Sequence, residues 1–371
     1  MHQMNMNTFE VRKDKTCELL AKANLDAVAL VPGPNFSYLT VVNLHLMERP
    51  TLFVLSRDGR THAIIPALEQ LQWSTAMPDT VTSYWADEDG PQNAFAALAA
   101  ELSDSVLGVE GLRMRAAEFM SLRQHWPEQK ILNADEALIP MRICKDDDEI
   151  KDLRQAIKIS ETALAEVMHD TRTGDMETTI LAKLKSAMLS HGATGFAFEP
   201  IVLSGGEAAN PHGHSSERKL KPGQALLIDF GASYGVMHAD ITRTFFCDHV
   251  PDEHASIYET VKAANDSGKQ AAKPGVAVEK VDAAASAILK DSAYADMILH
   301  KTGHGLGREV HEAPQVMKGN RMPLQPGMVI TVEPGLYRHN EIGVRIEDDV
   351  LITESGHESL TSYSRDIQII G

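Results

Sequence analysis

The chain has 371 residues, which is too long for one ordinary hydrophobic core and predicts two domains. Its net charge of −17 argues against nucleic acid or an anionic membrane as a partner, and no apolar run approaches the ~20 residues of a membrane helix. Three widely separated cysteines and an N-terminus without an apolar segment predict a cytoplasmic protein that has neither a disulfide framework nor a secretory signal.

Helix and strand signals alternate in the first part of the chain. Helices are predicted at 8–23, 91–102 and 114–125. Strands are predicted at 26–31, 51–56, 61–66 and 106–110, the second and third of which are expected to pair across a turn. The pattern indicates an α/β domain in which no constellation of chemically reactive side chains stands out.

A long helix is predicted from Asp146 onward, because acidic residues fill its first turn and an apolar stripe follows them. The stripe consists of Ile150, Leu153, Ile157, Leu164, Val167 and Met168. The character of the sequence changes just before this helix, near residues 140–146. We therefore predict two domains, residues 1–143 and residues 144–371.

The second domain contains an internal repeat. The segment LKPGQALLIDFG has the same pattern as LQPGMVITVEPG later in the chain: a Pro-Gly turn, an apolar strand, an acidic residue and a glycine. The acidic residues are Asp229 and Glu333, and each is followed by a second acid, Asp240 in the first copy and Glu347 in the second. A duplicated half-domain with pseudo-two-fold symmetry would bring both acid pairs to one central point.

Histidines accompany the repeat. A loop rich in glycine and proline precedes each copy, with His212 in NPHGH and His311 in REVHEAP. A further histidine, His304 in TGHGLGRE, stands outside the symmetry. Each of these features alone is more often structural than functional. Their duplication in the same order makes a functional interpretation much the better one.

Four carboxylates and one imidazole that converge in a core predict a metal site. Buried like charges disfavour ionisation, and isolated buried carboxylates are costly, so divalent cations are the natural remedy. A site rich in oxygen with one nitrogen suits Mn²⁺, which we favour, or Co²⁺, Zn²⁺ or Fe²⁺. Two such ions could share a bridging hydroxide as the nucleophile and polarise a carbonyl group.

The same segments resemble the signature sequences of the pita-bread metallopeptidases, in particular the Xaa-Pro dipeptidase (prolidase) and Xaa-Pro aminopeptidase group. The resemblance rests on PHGHSSERKLKPGQALLIDFG, DITRTF, TGHGLGREVHEAP, LQPGMVITVEPG and GVRIEDD, which lie between residues 204 and 353 in the order of the family. It implies an α/β creatinase-type N-terminal domain and an α+β pita-bread catalytic domain with an internal pseudo-two-fold repeat.

The resemblance also implies a set of metal ligands. Asp229 would chelate one metal ion through both of its oxygens. Asp240 and Glu347 would bridge the two ions, and His304 and Glu333 would complete the coordination of the second. All five positions of the family's ligand set are present in this chain.

Further roles follow from the resemblance. His212 and His311 would act on the substrate around the scissile carbonyl, and Glu333 would carry a proton. Arg345 would hold the bridging carboxylate two residues after it, and Thr242 would be a further partner of the ligands. The implied reaction is hydrolysis of the amide bond of Xaa-Pro dipeptides or peptides.

The length and kind of the substrate stay open at this point. Gln315 stands where many proline dipeptidases have an arginine suited to gripping the carboxylate of a free dipeptide. One alternative is a hydrolase of a small non-peptide amide, similar to ectoine hydrolase. Another is a non-catalytic pita-bread binding module, which the complete ligand set disfavours.

A homodimer is also expected, because in dimeric relatives a loop of the N-terminal domain can reach the site of the other subunit. The corresponding candidate here is the loop NLHLMERP, which spans residues 43–50. Its His45 and Arg49 are polar groups on an otherwise apolar segment, and such groups could limit the length of the substrate.

Overall fold

A computed structural model describes residues 6–102, 104–211 and 213–371, with side chains described from residue 8 onward. The chain divides between Arg142 and Ile143 into two compact units. The division into domains of residues 1–143 and 144–371 stays a prediction. None of the helices in the described ranges is both long and apolar enough to cross a membrane.

The first unit is an α/β domain built on one six-stranded sheet. Its strands are β1 (Ala27–Leu30), β2 (Leu52–Ser56), β3 (Thr61–Pro66), β4 (Val81–Trp85), β5 (Leu107–Val109) and β6 (Ile131–Asn133). Their order is β4-β3-β2-β1-β5-β6. The neighbours β1–β2 and β2–β3 are antiparallel, whereas β3–β4, β1–β5 and β5–β6 are parallel. Apolar clusters cover both faces of the sheet, which explains why β1 is apolar along its whole length and β2 is apolar up to its last residue, Ser56.

Helices pack around this sheet. They are α1 (Met6–Lys22), α2 (Pro34–Thr40), α3 (Gln70–Ala76), α4 (Gln92–Leu102), α5 (Ala116–Arg123) and α6 (Asp135–Arg142). The helices and strands predicted from the sequence are confirmed to within a few residues. The prediction missed the short elements α2, α3, α6, β4 and β6, which are too short to show a clear period.

The loop at residues 43–50 is fastened to its own unit. Arg49 donates hydrogen bonds to both carboxylate oxygens of Asp87, at 2.9 and 2.7 Å, and pairs with Glu48 at 2.6 Å. The guanidinium of Arg115 donates to the carbonyl oxygen of Met47. The roles proposed for His45 and Arg49, like the homodimer, stay predictions.

The second unit begins with the predicted long helix. This helix, α7 (Asp147–Asp170), starts with a capping box, in which Asp146 accepts from the backbone N–H of Glu149 and Glu149 accepts from that of Asp146. The predicted stripe is confirmed, since its residues are buried or pack against the core. The other helices described in this unit are α8 (Glu177–Ser190), α9 (Asp252–Ala271) and α10 (Val278–Lys290).

The strands of the second unit fall into two groups along the chain. The first group is β7 (Gly195–Phe196), β8 (Ile201–Ser204), β9 (Ala225–Phe230), β10 (Ala232–Tyr234), β11 (Met237–His238) and β12 (Ile241–Cys247). The second group is β13 (Gly303–Gly305), β14 (Glu312–Val316), β15 (Val329–Val332), β16 (Gly335–Arg338), β17 (Ile342–Arg345), β18 (Asp348–Ile352), β19 (His357–Ser359) and β20 (Ile369–Ile370).

The order of these elements confirms the predicted duplication. Two helices, α7 and α8, precede the strands β8, β9 and β12, which lie in a sheet of order β20-β12-β9-β8. Two further helices, α9 and α10, precede a sheet of order β14-β13-β15-β18-β19. In each half an apolar central strand, β9 or β15, pairs antiparallel with both of its neighbours. Asp229 is the penultimate residue of β9, and Glu333 follows β15 directly. The repeat therefore places one carboxylate at the end of each central strand.

Candidate metal centre

The structure brings the five predicted ligands together. Potential ligand atoms of Asp229, Asp240 and Glu347 all lie within 4.8 Å of one another, and so do those of His304, Glu333 and Glu347. The two groups share Glu347. Overlapping groups of carboxylate and imidazole donors of this size are a candidate site for divalent cations.

His304 presents a lone pair to the carboxylates. Its Nδ1 lies 3.1 Å from the carbonyl oxygen of Gly305, which can only accept, so the proton belongs on Nδ1. Its Nε2 then faces Asp240 Oδ2 at 3.6 Å and Glu333 Oε1 at 3.5 Å. Burial, helped by the neighbouring His311, lowers the pKa of His304 to about 3, so the ring is neutral. A cation between these atoms would turn their mutual repulsion into coordination.

The carboxylates repel one another in the absence of a cation. Burial, and after it the charges of neighbouring carboxylates, raises the pKa of Asp240 and of Glu347 well above the ordinary range. Burial raises the pKa of Glu333 to about 7, although Arg345 opposes the rise. Divalent cations are the usual compensation for such a concentration of acidic groups.

Arg345 and Thr242 hold the outer sides of two of these carboxylates. The guanidinium donates through Nη2 to Asp229 Oδ2, through Nε to Thr242 Oγ1 at 3.0 Å, and through Nη1 to Tyr337 Oη at 2.9 Å. Thr242 in turn donates to Glu347 Oε2 at 2.7 Å. Arg345 was predicted to hold Glu347, but it holds Asp229 directly and reaches Glu347 through Thr242. The reason is the register of β9 and β12, which places Thr242 opposite Asp229.

The inner sides of the same carboxylates have no protein partner. Asp229 Oδ1 and Glu347 Oε1 are buried oxygens without a hydrogen-bond partner among the described residues. Buried polar atoms are nearly always satisfied, so two orphaned oxygens that belong to one ligand group indicate a missing partner. A divalent cation fits this requirement, because carboxylate oxygens and a neutral imidazole are suitable ligands for one.

His311 also lies at the centre. Its ring packs edge-on against that of His304, with 4.2 Å between the ring centroids and 75° between the ring planes. His304 is buried, whereas His311 is exposed and therefore accessible to a substrate. Potential ligand atoms of Asp240, His304 and His311 also lie within 4.8 Å of one another. The geometry thus allows His311 to meet either a substrate or a metal ion.

His212 lies outside the described residues, but both flanks of its loop have a common anchor. Glu177 is buried and accepts hydrogen bonds from the N–H and hydroxyl groups of Ser204, before the loop, and of Ser216, after it. Arg218 completes this arrangement with bonds of 2.7 and 2.8 Å to the two oxygens of Glu177.

The sequence did not single out several residues that support the ligands. Asp349 accepts a hydrogen bond from the backbone N–H of Asp240 at 3.2 Å. Arg243 is fully buried and donates to the carbonyl oxygen of Glu347 at 2.6 Å and to Asp348 at 2.7 Å. The signal that could have found them is their position, because each of the three directly follows, or lies within three residues of, a predicted ligand in DITRT or IEDD.

Comparisons with known proteins agree with this site. Residues 12–144 match the Creatinase/Prolidase N-terminal domain, and residues 151–354 match metallopeptidase family M24. The chain belongs to metallopeptidase family M24. This membership confirms the predicted enzyme class, and it implies a divalent metal ion and a peptide substrate.

Similar proteins carry the name of the predicted group. The chain is 36% identical over 262 residues to an Xaa-Pro dipeptidase of Pyrococcus furiosus, which covers 70% of this chain and 75% of that protein. It is 29% identical over 366 residues to an Xaa-Pro dipeptidase of Pyrococcus horikoshii. This match covers 98% of this chain and 100% of that protein. A solved prolidase from Thermococcus sibiricus superposes with a TM-score of 0.91 at 31% identity over 98% of this chain and 99% of that one. The predicted fold class is confirmed.

Proposed function

We propose that the protein hydrolyses the amide bond of Xaa-Pro dipeptides or short Xaa-Pro peptides with two divalent metal ions. The ions would be held by Asp229, Asp240, His304, Glu333 and Glu347. The observation that carries the proposal is the pair of overlapping ligand groups that share Glu347. The fold of relatives named prolidase or Xaa-Pro dipeptidase supports the choice of substrate.

In this proposal Asp229 would belong to one ion, Asp240 and Glu347 to both, and His304 and Glu333 to the other. When bound, the ions supply an activated water molecule as the nucleophile and polarise the scissile carbonyl. We favour Mn²⁺, with Co²⁺, Zn²⁺ and Fe²⁺ as alternatives, because oxygen ligands outnumber the single nitrogen.

The side chains supply the rest of the chemistry. Glu333 accepts the proton of the attacking water at a carboxylate oxygen and returns it to the leaving proline nitrogen. The exposed ring of His311 donates a hydrogen bond to the oxygen on which negative charge develops. His212 is assigned the matching role of binding the substrate carbonyl.

Metal analysis tests the two-ion part of the proposal. Reconstitution of metal-free protein with excess Mn²⁺ or Co²⁺ should give two tightly bound equivalents per chain, because each ligand group offers three donors. Chelation should abolish hydrolysis, and addition of metal should restore it. The absence of specific uptake contradicts the metal centre, and a single equivalent contradicts the count of two.

A substrate panel tests the reaction itself. The panel contains Xaa-Pro dipeptides, longer Xaa-Pro peptides and ectoine-type cyclic amides. Turnover of the cyclic amides alone would contradict the proposed peptidase and support the alternative, a hydrolase of a small non-peptide amide. A metal-loaded protein that turns over none of the panel would support a binding module instead.

Lys301 offers a basis for dipeptide preference. Its ammonium group donates to the side-chain oxygen of Gln315, the residue at the place of the arginine of many dipeptidases. Lys301 also lies near the candidate metal centre. Its positive charge opposes the rise in the pKa of Glu333 and contributes to the lowering of the pKa of His304. Lys301 is exposed and can therefore receive the carboxylate of a dipeptide in place of the missing arginine.

Removal of this charge should affect one kind of substrate only. Lys301→Met is expected to raise KM about tenfold for an Xaa-Pro dipeptide, the size expected for one charge-assisted hydrogen bond. KM for the corresponding dipeptide amide, which has no carboxylate, should stay within about twofold of wild type. Lys318→Met, another exposed lysine of the same region, is the control. An equal rise of KM for both substrates would exclude a carboxylate contact.

A further inference from the structure

The segment that carries His304 and His311 is held from one side by the start of α7. We call residues 304–312 the histidine loop. The ammonium group of Lys145 pairs with Glu312 Oε1, and only 2% and 4% of the two side chains is exposed. Next to this pair, Arg308 Nε donates to Glu149 Oε1 at 2.7 Å. Two ion pairs thus connect the loop to the residues that begin the helix.

Lys145 is itself fixed by its surroundings. Its Nζ donates to the carbonyl oxygen of Ile143 at 3.1 Å, and its backbone N–H donates to the carbonyl oxygen of Gly327 at 2.8 Å. Gly327 belongs to the Pro-Gly turn of the second repeat copy. Lys145 therefore links that turn to Glu312, the neighbour of His311 in the chain.

The loop is shaped to admit this ion pair. A Cβ atom at Gly307 would lie 2.6 Å from Lys145 Cε and 2.8 Å from Glu312 Oε1, so a larger residue there would collide with the pair. On another side, the backbone N–H of His238 donates to the carbonyl oxygen of Gly307 at 3.0 Å. His238 lies two residues before Asp240, which ties the loop to the first repeat copy as well.

A buried ion pair contributes little net stability, because the desolvation of both charges offsets their attraction. A buried ion pair differs from an apolar pair in that its charge-assisted hydrogen bond fixes the relative orientation of the two side chains. Glu312 is the first residue of β14 and pairs with Gly305 of β13. Gly305 directly follows His304 in the chain. Fixing Glu312 therefore fixes the direction in which the chain presents His311 beside His304.

We propose that Lys145 is a positioning residue that acts through Glu312 to hold His311 over His304. The proposal rests on the proposed function, in which His311 acts on the substrate. Lys145 then contributes to turnover without touching the substrate or a metal ligand.

A double-mutant cycle tests this role. The variant Lys145→Met/Glu312→Gln removes both charges together, so that no buried charge is left unpaired. It should lower kcat about tenfold, because a small misplacement of a catalytic group is costly, while KM stays within about twofold and the metal content is unchanged. In a His311→Ala background the same pair of substitutions should change kcat by less than about twofold, because there is no ring left to position.

Arg154→Met is a control for the loss of a positive charge, since Arg154 on helix α7 pairs with Glu358 at 2.6 Å outside the histidine loop. It should leave kcat unchanged. A wild-type kcat in Lys145→Met/Glu312→Gln overturns the proposal. An equal loss of kcat with and without the ring of His311 also overturns it, because a general structural defect would act in both backgrounds.

A crystal structure of Lys145→Met/Glu312→Gln decides the same question without a substrate. The proposal expects the ring of His311 to move away from its place beside His304. Rings that keep their 4.2 Å separation and 75° angle overturn it. Failure of the wild-type protein to cleave any Xaa-Pro peptide counts against the proposed function instead, and the crystal structure still decides the role of Lys145.

Discussion

Asp240→Ala is expected to remove both metal ions and to lower kcat/KM by at least about 10³-fold, because the metal supplies several kcal/mol of transition-state stabilisation. Asp240 is buried, and its carboxylate belongs to the group with Asp229 and Glu347 and also reaches Nε2 of His304. In the proposed centre Asp240 serves both ions, so its loss should exceed the loss of a ligand that serves one, such as His304→Ala. Metal analysis and steady-state kinetics with an Xaa-Pro dipeptide measure the two effects.

Thermal unfolding separates the loss of a ligand from a loss of folding. Metal that binds only the folded protein raises Tm, so Mn²⁺ should raise the Tm of wild type but not that of Asp240→Ala or Asp240→Asn. Asp240→Asn keeps the shape of the side chain and cannot ionise, so it removes one of the acidic groups that disfavour one another's ionisation. Without metal it should therefore be at least as stable as wild type. A metal-induced rise in Tm that persists in Asp240→Asn would show that Asp240 is not a ligand.

The sequence predicted the candidate metal centre better than it predicted the surroundings of the centre. Asp229 and Glu333 could be found because a repeated segment delivers a carboxylate at the end of each central strand, and such a repeat is visible without any knowledge of the fold. Asp240 and Glu347 follow at similar distances in both copies. The order of the acidic residues along the chain was sufficient to predict the site, because the symmetry of the two halves brings both pairs of acids together.

The supporting contacts between residues far apart in the chain left no such signal. Lys145 and Glu312 are 167 residues apart, and Arg345 and Asp229 are 116 apart, so neither pair could be derived from a local pattern. The partner of Arg345 depends on the register of β9 and β12, which a sequence pattern does not fix to one residue. Tyr337, which accepts a hydrogen bond from Arg345 across the paired strands β16 and β17, also appeared only in the structure.

His311→Ala is expected to keep both metal ions and to have a kcat about 10²-fold lower than wild type. This is the effect expected from the removal of one hydrogen-bond donor to a developing oxyanion. The five proposed ligands form two candidate groups without His311, and the ring of His311 is exposed whereas the five side chains are largely buried. KM should change little, because the hydrogen bond to the substrate oxygen strengthens chiefly in the transition state. His311→Gln, which retains a donor, should recover part of the loss.

Metal content decides between the two roles that the geometry allows His311. Its ring lies within ligand distance of Asp240 and His304, so a metal role predicts that His311→Ala binds one equivalent less than wild type. A substrate role predicts two equivalents and a reduced kcat. His191→Ala serves as the control, because that ring bonds to Glu166 at 2.8 Å on helix α7 and should leave both quantities unchanged. A His311→Ala protein with full metal content and wild-type kcat would remove His311 from the reaction and, with it, the reason for the buried pair of Lys145 and Glu312.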